Sequence, residues 1–288
     1  MGKWFWIFLA IVVLIAAIGF LLWWSNFGVS VSNYTVSSSK IPSGFNGYKI
    51  VQLSDLHSAS IGRNNSRLLK TVRDEEPDIV VMTGDMVSRY DSGFDTAAAL
   101  AENIALDFPV YYIRGNHEQG LEKEDRESYW TRLAQAGITI LDNEAVSLKA
   151  ENEDEVKLYG LWVNLDYYHQ MASYYKPLTA ETIRSIIGDA PEGYNILLAH
   201  NPNHFGAYAE WGADLIFSGH IHGGMVRLPF IGGILSPETL LFPKYDAGSY
   251  ETGDSTMILS RGLGRGRMGI RVFNPPDVVS VILHHTDE

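Results

Sequence analysis

Residues 79–85, IVVMTGD, decide the fold class of this chain. The first four residues form an apolar run of the length of a buried strand. The run ends in Gly84, whose backbone can turn sharply, and then in the carboxylate of Asp85. A buried strand that ends in a polar turn is the unit of an open α/β sheet, in which sites form at the carboxyl ends of the strands.

Similar apolar runs alternate with helical patterns on both sides of this segment. We predict strands at residues 49–53, 79–82, 110–113, 138–141, 195–199 and 214–217. We predict helices at residues 67–73 (with Ser66 as N-cap), 96–104, 127–136 and 179–187. Residues 146–149 and 156–162 alternate like paired antiparallel strands, and further strands are expected at 257–260, 270–273 and 278–283. This order predicts an α/β fold in which the later strands form a second layer.

Five polar clusters each follow directly on an apolar run. They are Asp55-Leu56-His57, Gly84-Asp85, Gly115-Asn116-His117-Glu118, Ala199-His200-Asn201-Pro202 and Gly219-His220-Ile221-His222. Because parallel strands place their carboxyl ends together, we expect all five clusters to converge on one rim of one sheet.

The side chains in these clusters suit metal ions. The chain has no cysteine, which excludes a Cys-ligated zinc site and a Cys nucleophile. Imidazole and carboxylate together favour zinc, iron or manganese over calcium. Asp55 and His57 lie two positions apart on a segment expected to be extended, so they would point to the same face and chelate one ion.

Asp85 offers two carboxylate oxygens and could bridge two ions. Ions about 3.5–4 Å apart can hold both the attacking and the leaving oxygen of an in-line displacement. His220 and His222 could serve one ion each if their loop curls between the ions. Asn116 and His200 would then complete the second ion.

His117 follows a candidate ligand without needing to be one, which makes it a candidate proton donor to the leaving alkoxide. A single His after a strand is usually a satisfied polar residue, and a single Gly-Asp is usually a turn. Five clusters in order, holding five of the nine histidines, make coincidence a poor explanation. The remaining four histidines are interpreted as surface or structural residues: His169, His204, His284 and His285.

The amino terminus is a candidate membrane anchor. Residues 4–24 contain no charged side chain and, at about 1.5 Å per residue, can cross a hydrocarbon core of about 30 Å. The run is longer than the apolar core of a cleaved signal peptide and lacks a good cleavage site. Tryptophans stand at both of its ends, where indoles favour the lipid–water interface: Trp4, Trp6, Trp23 and Trp24.

These features predict an anchor at residues 1–25, a spacer and first strand at 26–47, and a catalytic domain at 48–288. Lys3 precedes the apolar run and no Lys or Arg follows it until Lys40. The positive-inside rule therefore puts the catalytic domain on the extracytoplasmic side. The formal net charge of −12 disfavours a general nucleic-acid binder, so no nucleic-acid partner is expected.

The order D-x-H, G-D, G-N-H-E, H, G-H-x-H resembles the calcineurin-like metallophosphoesterase superfamily, over nearly all of the chain from Tyr48 to Leu283. The membrane-anchored bacterial YkuE/YaeI-like branch is the most similar, through the apolar amino terminus, residues 219–224 (GHIHGG) and residues 260–264 (SRGLG). The resemblance implies a four-layer α-β-β-α sandwich, two divalent metal ions and a metal-bridging hydroxide as nucleophile.

Carried over position by position, the resemblance assigns the first ion to Asp55, His57, Asp85 and His222. It assigns the second ion to Asp85, Asn116, His200 and His220, and it makes His117 the proton donor. Three positions depart from the branch: Ile221 stands for an expected Thr, Met225 for Gln and Glu118 for the commoner Asp. None of them is a ligand, although Met225 would alter the rim of the site.

The substrate and two rival functions stay open. A phosphodiester, a phosphomonoester or a nucleotide-linked lipid pyrophosphate such as a UDP-2,3-diacylglucosamine would suit the site. Trp162, Tyr167, Tyr168, Tyr174 and Tyr175 could form an apolar lip for a lipid or a base, but packing is the commoner role of such a cluster. A catalytically inactive membrane-anchored binding module is the alternative. A metal-dependent amidase or peptidase is disfavoured because the His-Glu-x-x-His signature is absent.

Overall fold

The computed structural model describes residues 2–90, 93–168, 176–224, 226–228, 230–236, 241–266 and 269–287. A long amino-terminal helix, α1 (Lys3–Phe27), precedes a domain built on two six-stranded sheets. By length and composition α1 could cross a membrane: its most apolar stretch has a mean hydropathy of 3.0 and is not buried by the rest of the protein. The apolar helix expected at the amino terminus is therefore present.

The first sheet has the strand order β1-β14-β2-β3-β4-β5. Its strands are β1 (Ser30–Ser38), β2 (Lys49–Leu53), β3 (Ile79–Met82), β4 (Val110–Tyr112), β5 (Thr139–Ile140) and β14 (Asp277–His285). The second sheet has the order β12-β13-β9-β8-β7-β6. Its strands are β6 (Ala145–Lys149), β7 (Glu155–Leu161), β8 (Asn195–Ala199), β9 (Leu215–Ser218), β12 (Gly248–Thr252) and β13 (Ser255–Leu259). A separate hairpin is formed by β10 (Val226–Leu228) and β11 (Gly232–Leu235).

Helices cover the outer face of each sheet. Those on the first sheet are α2 (Ser66–Glu75), α3 (Asp95–Ala105) and α5 (Lys123–Gln135), with the single turn α4 (Asn116–Gln119) at the end of β4. Those on the second sheet are α6 (Ala180–Ile187) and α7 (Phe205–Trp211).

Three apolar layers hold the sandwich together. In β3, Val80 and Met82 pack under the helices of the first sheet, whereas Ile79 and Val81 face the second sheet. This two-residue alternation places the apolar run of β3 in two cores at once. Leu198 of β8 belongs to the layer between the sheets. The four-layer α-β-β-α architecture and the antiparallel pairing of β6 with β7 are thus confirmed.

The later strands do not all join the second layer. β14 returns to the first sheet, where it runs parallel to β1 and antiparallel to β2. The second sheet begins earlier than predicted, at β6, because β5 closes the edge of the first sheet at Ile140. The strand expected within residues 26–47 is β1, which pairs with β14 along its whole length.

Two local predictions are wrong. Ser66 is the first residue of α2 rather than its N-cap; Asn65 precedes it in a left-handed conformation, with no side-chain capping bond. Residues 270–273 form no strand: Val272 makes one isolated bridge to Val226, and Phe273 has φ 51°. The guanidinium of Arg271 instead turns inward and donates to backbone carbonyl groups.

Candidate metal centre

The seven candidate ligands follow five parallel strands that belong to two sheets. The loops after β2, β3 and β4 carry Asp55, His57, Asp85 and Asn116, and the loops after β8 and β9 carry His200, His220 and His222. The expectation of one rim of one sheet is therefore wrong. The clusters converge because the two sheets pack face to face and their carboxyl ends adjoin.

One group of facing side chains comprises Asp55, His57 and His222, whose ligand atoms all lie within 4.8 Å of one another. Nε2 of His57 lies 2.8 Å from Nε2 of His222, and Nε2 of His222 lies 3.4 Å from Oδ1 of Asp55. Burial lowers the pKa of His57 to about 3 and also lowers the pKa of His222. Two neutral imidazoles and a carboxylate whose ligand atoms face a common position suit a divalent ion.

A second group comprises Asp85, His200 and His220. Nε2 of His200 lies 3.1 Å from Oδ2 of Asp85, while Nδ1 of His200 is held by the carbonyl oxygen of Thr83 at 2.7 Å. That backbone contact fixes the ring so that Nε2 faces the site. One end of the Asn116 side-chain amide lies 3.2 Å from Oδ2 of Asp85 and 3.0 Å from Nδ1 of His220.

Asp85 lies between the two groups. Its Oδ2 atom is 4.0 Å from Nε2 of His57 as well as 3.1 Å from Nε2 of His200. Burial by itself would raise the pKa of Asp85, but the imidazoles of His200 and His117 hold it well below its usual value. The residues of both groups fit a pair of divalent ions that share this carboxylate.

The ligand loops have unusual backbone conformations. Positive φ angles occur at Asp55 (54°), His57 (48°), Asp85 (53°), His220 (75°) and His222 (55°). Such left-handed conformations cost about 1–2 kcal/mol per non-glycine residue and are found at functional sites. The expectation that Asp55 and His57 lie on an extended segment is wrong, although their side chains do converge.

Comparison with known proteins identifies the family. The sequence pattern of the family described as calcineurin-like phosphoesterases matches residues 48–224, which is more than half of the chain. The chain belongs to the calcineurin-like phosphoesterase family.

Several known sequences are similar over most of this phosphoesterase. An uncharacterised metallophosphoesterase, YkuE of Bacillus subtilis, is 28% identical over 90% of this chain and 87% of its own. Phosphodiesterase YaeI of Escherichia coli is 27% identical over 82% of each chain. A transmembrane protein with a metallophosphoesterase domain from Bos taurus is 26% identical over 88% of this chain and 57% of its own.

Among solved structures, a dimetal phosphatase from Danio rerio superposes with a TM-score of 0.46 at 14% identity, covering 75% of this chain and 88% of its own. The resemblance to the YkuE/YaeI-like branch that the motifs indicated is thus confirmed at the level of sequence.

His117 lies at the edge of the phosphoesterase centre and, like His57, is only partly buried. The backbone N–H of Arg89 donates to its Nδ1 atom at 3.2 Å. Because a backbone N–H can only donate, the proton of the neutral His117 imidazole sits on Nε2. Burial lowers the pKa of this imidazole. His117 also stands within 4.8 Å of ligand atoms of His57 and Asp85, so proximity alone does not separate a proton donor from a ligand.

Arg89 lies at the phosphoesterase centre and was not singled out from the sequence, whereas Tyr168 was named only as part of the aromatic cluster. The guanidinium of Arg89 lies 3.3 Å from the far end of the Asn116 amide. The ring of Tyr168 lies 5.2 Å from that of His220 and 6.1 Å from that of His200. Arg89 stands four residues after Asp85. Its position so close to a candidate ligand in the sequence could have identified it as a residue of the site.

Of the described residues in the aromatic cluster, two pack locally and one lies at the candidate metal centre. Nε1 of Trp162 donates to Asp142, and the carbonyl oxygen of Tyr167 accepts from Asn201, so both residues pack locally. Tyr168 instead covers the His200–His220 pair. Tyr174, Tyr175, His169 and Met225 lie outside the described residues. His204 is buried against the carbonyl group of Tyr167, and His284 contacts Asn46, which agrees with structural roles.

Proposed function

We propose that this chain is a membrane-anchored hydrolase of phosphoric ester or pyrophosphate bonds that works with two divalent metal ions, drawn from manganese, zinc and iron. The observation that carries the proposal is the place of Asp85, whose carboxylate faces His57 on one side and His200 on the other. A carboxylate shared in this way suits two ions a few ångströms apart.

The ligand assignment follows from the two groups. Asp55, His57, Asp85 and His222 would hold the first ion, and Asp85, Asn116, His200 and His220 the second. Bound in this way, the ions supply Lewis acidity and a water molecule of lowered pKa. Nε2–H of His117 is directed by the bond from Arg89 to Nδ1 and would serve the departing oxygen of the substrate. The Arg89 guanidinium would face a phosphoryl oxygen.

The relatives support the reaction class and the anchor. The Escherichia coli relative is named a phosphodiesterase, and the Bos taurus relative is named a transmembrane protein. Together with α1, these names support attachment to a membrane through residues 4–24. Lys3 before the helix supports an extracytoplasmic catalytic domain under the positive-inside rule.

The proposal is tested on the full-length protein in detergent, with bis(p-nitrophenyl) phosphate and p-nitrophenyl phosphate as substrates. Turnover should require Mn²⁺, Zn²⁺ or Fe²⁺ and should disappear with a chelator. Asp85→Asn should abolish turnover, whereas Asp107→Asn, at an exposed carboxylate, should not. Full activity of metal-stripped protein would contradict the two-metal reaction.

The same preparation tests the alternative of an inactive binding module. The arrangement of the seven candidate ligands and of His117 argues against that alternative, because a module without catalysis has no need of it. Two bound ions per chain with no turnover of either ester would favour the inactive module.

A further inference from the structure

The last turn of α1 is fixed to the catalytic domain. The side-chain amide of Asn26 donates to the carbonyl oxygen of Arg271 at 2.8 Å and accepts from its backbone N–H at 3.1 Å. Arg67 donates to the carbonyl oxygen of Phe27 at 2.9 Å, and the Arg265 guanidinium lies 4.9 Å from the Phe27 ring centroid. These contacts set the position of the domain relative to the end of the helix.

A cavity of about 580 Å³ joins that end of the helix to the metal centre. Asn26 and Arg265 line it on the helix side, and His57 and His117 line it on the metal side. Cavities of roughly 300–1,000 Å³ accommodate small molecules or headgroups. The route from the candidate metal ligands therefore opens beside the membrane helix.

The depth of this opening follows from the length of α1. Because residues 4–24 match a hydrocarbon core of about 30 Å, a membrane-spanning α1 would place Asn26 and Phe27 at the lipid–water interface. Phosphate groups of lipids lie at that same depth. Arg265 places a cation in the cavity wall at this level, as an anionic headgroup would require.

The hairpin β10–β11 carries exposed apolar side chains, and its base is joined to the segment that holds the end of α1. Outside α1, most of the exposed large apolar side chains among the described residues form a set that we call the apolar rim: Leu228, Phe230, Ile231, Leu241, Phe242 and Ile270. Val226, at the base of the hairpin, bridges to Val272, and the preceding Arg271 holds Asn26. Exposed aromatic and aliphatic side chains that continue from a membrane anchor suit contact with lipid.

We propose that the substrate is a phosphate-bearing lipid of the membrane that α1 enters. The inference rests on the proposed function and narrows its substrate. The headgroup enters the cavity from the side of Asn26 and Arg265, while the apolar rim rests on the lipid surface. Hydrolysis breaks a P–O bond of the headgroup; water supplies the oxygen that joins phosphorus and the proton that the leaving oxygen takes up.

The test uses the full-length protein reconstituted in phosphatidylcholine vesicles with its metal. Each vesicle preparation contains one of three lipids: phosphatidic acid (a monoester), phosphatidylglycerol (a diester) or CDP-diacylglycerol (a pyrophosphate). The matched water-soluble compounds are glycerol 3-phosphate, glycerophosphoglycerol and CDP-glycerol. At least one lipid should have a kcat/KM about tenfold or more above its soluble counterpart, because confinement to one surface raises the effective concentration.

The outcomes separate the two proposals. If nitrophenyl esters are hydrolysed but none of the three lipids is preferred, the lipid inference is wrong and the phosphoesterase stands. If neither nitrophenyl esters nor lipids are hydrolysed with any of the metals, the proposed function itself fails, and the lipid inference with it.

A double variant and a matched control test the apolar rim. Phe230→Ser combined with Ile231→Ser should lower the ratio of lipid turnover to nitrophenyl turnover by about tenfold, since two apolar contacts with lipid are lost. Leu106→Ser is the matched control, because Leu106 is 80% exposed and lies outside the rim. An equal ratio in the wild type and the double variant would overturn the role of the rim.

Discussion

Oε2 of Glu118 accepts a hydrogen bond of 2.9 Å from the backbone N–H of Asp85. The same buried carboxylate accepts from the N–H groups of Met86 and Gly115 and from the hydroxyl of Tyr112, each at 2.8 Å. One side chain thus ties the loop after β3 to the loop after β4. Asp85, the candidate shared ligand, and the neighbouring Asn116 are held in register by this carboxylate.

Glu118→Ala should lower the free energy of unfolding by about 3–5 kcal/mol, because buried backbone N–H groups lose their acceptor. The variant should also bind metal poorly, since the loop of Asp85 is released. Chemical denaturation in detergent and metal analysis measure the two effects. Glu124→Ala, at an exposed position of α5, is the control and should change stability by less than about 0.5 kcal/mol. Equal stability of the two variants would contradict the role given to Glu118.

Gly84→Ala should be more harmful than Gly137→Ala. Both glycines have positive φ, 91° and 81°, so each substitution carries a backbone cost of about 1–2 kcal/mol. A Cβ atom at Gly84 would stand 2.5 Å from the backbone nitrogen of Gly115, whereas nothing lies within 4 Å at Gly137. The difference between the two losses of unfolding free energy measures the steric clash at Gly84 alone. Metal content should fall only in Gly84→Ala. Similar losses in both variants would show that the loops after β3 and β4 can separate.

The positions of the candidate site were predictable because they depend on local sequence. The run at Ile79–Met82 followed by Gly84 and Asp85 specifies a strand and its end without reference to the rest of the chain. An apolar run followed directly by polar residues occurs five times in the chain. These five occurrences located all the strand ends that carry the candidate ligands. Burial on both faces also explains why these strands are apolar throughout.

The division into two sheets was not predictable in the same way. β14 pairs with β1 and β2 across most of the chain length, and no local pattern specifies that partner. The left-handed conformations of Asp55 and His57 also come from tertiary contacts: their N–H groups donate to the carbonyl oxygens of Gly84 and Asp85, each at 3.0 Å. Arg271 looked like part of a strand because its neighbours are apolar, yet its guanidinium is fully buried.

Metal uptake by the apo-protein should release a proton at neutral pH. Burial lowers the pKa of His200, but the carboxylates of Asp85 and Asp55 outweigh it and raise that pKa to about 10. An ion can bind Nε2 only after the proton leaves, so affinity for the second ion should rise with pH until about that value. Titration calorimetry in Pipes and in Tris should give about one proton released per ion bound at the second site. An enthalpy independent of the buffer would show that His200 is already neutral.

The first ion should behave differently. The pKa values of His57 and His222 are lowered by burial, so both imidazoles are neutral throughout the physiological range. Binding at their group should therefore involve no proton release from these two rings between about pH 5 and 9.

Asp85→Asn should lower the affinity for both ions, because its one carboxylate faces the two groups. Loss of only one ion in this variant would contradict the bridging role of Asp85.

The variant His117→Ala distinguishes between two roles of His117, as a proton donor or as a metal ligand. His117 lies within 4.8 Å of ligand atoms of Asp85 and His57, so either role is geometrically open. If Nε2 of His117 serves the leaving oxygen, the variant should keep its metal while turnover falls by about 10²–10⁴-fold. Metal content and rate must be measured on the same preparation.

The leaving group decides how His117 acts. If it transfers a proton, the loss should be large for alkyl phosphates, whose alkoxide must be protonated, and small for nitrophenyl esters, whose leaving group is stable as an anion. The bond from the Arg89 N–H to Nδ1 holds one proton on Nε2 and opposes a second on the ring. If that bond persists during the reaction, His117 gives only a hydrogen bond, and the loss should be similar for both kinds of ester. Loss of metal in parallel with activity would make His117 a ligand or a support for the ligands, and the phosphoesterase function would stand without it.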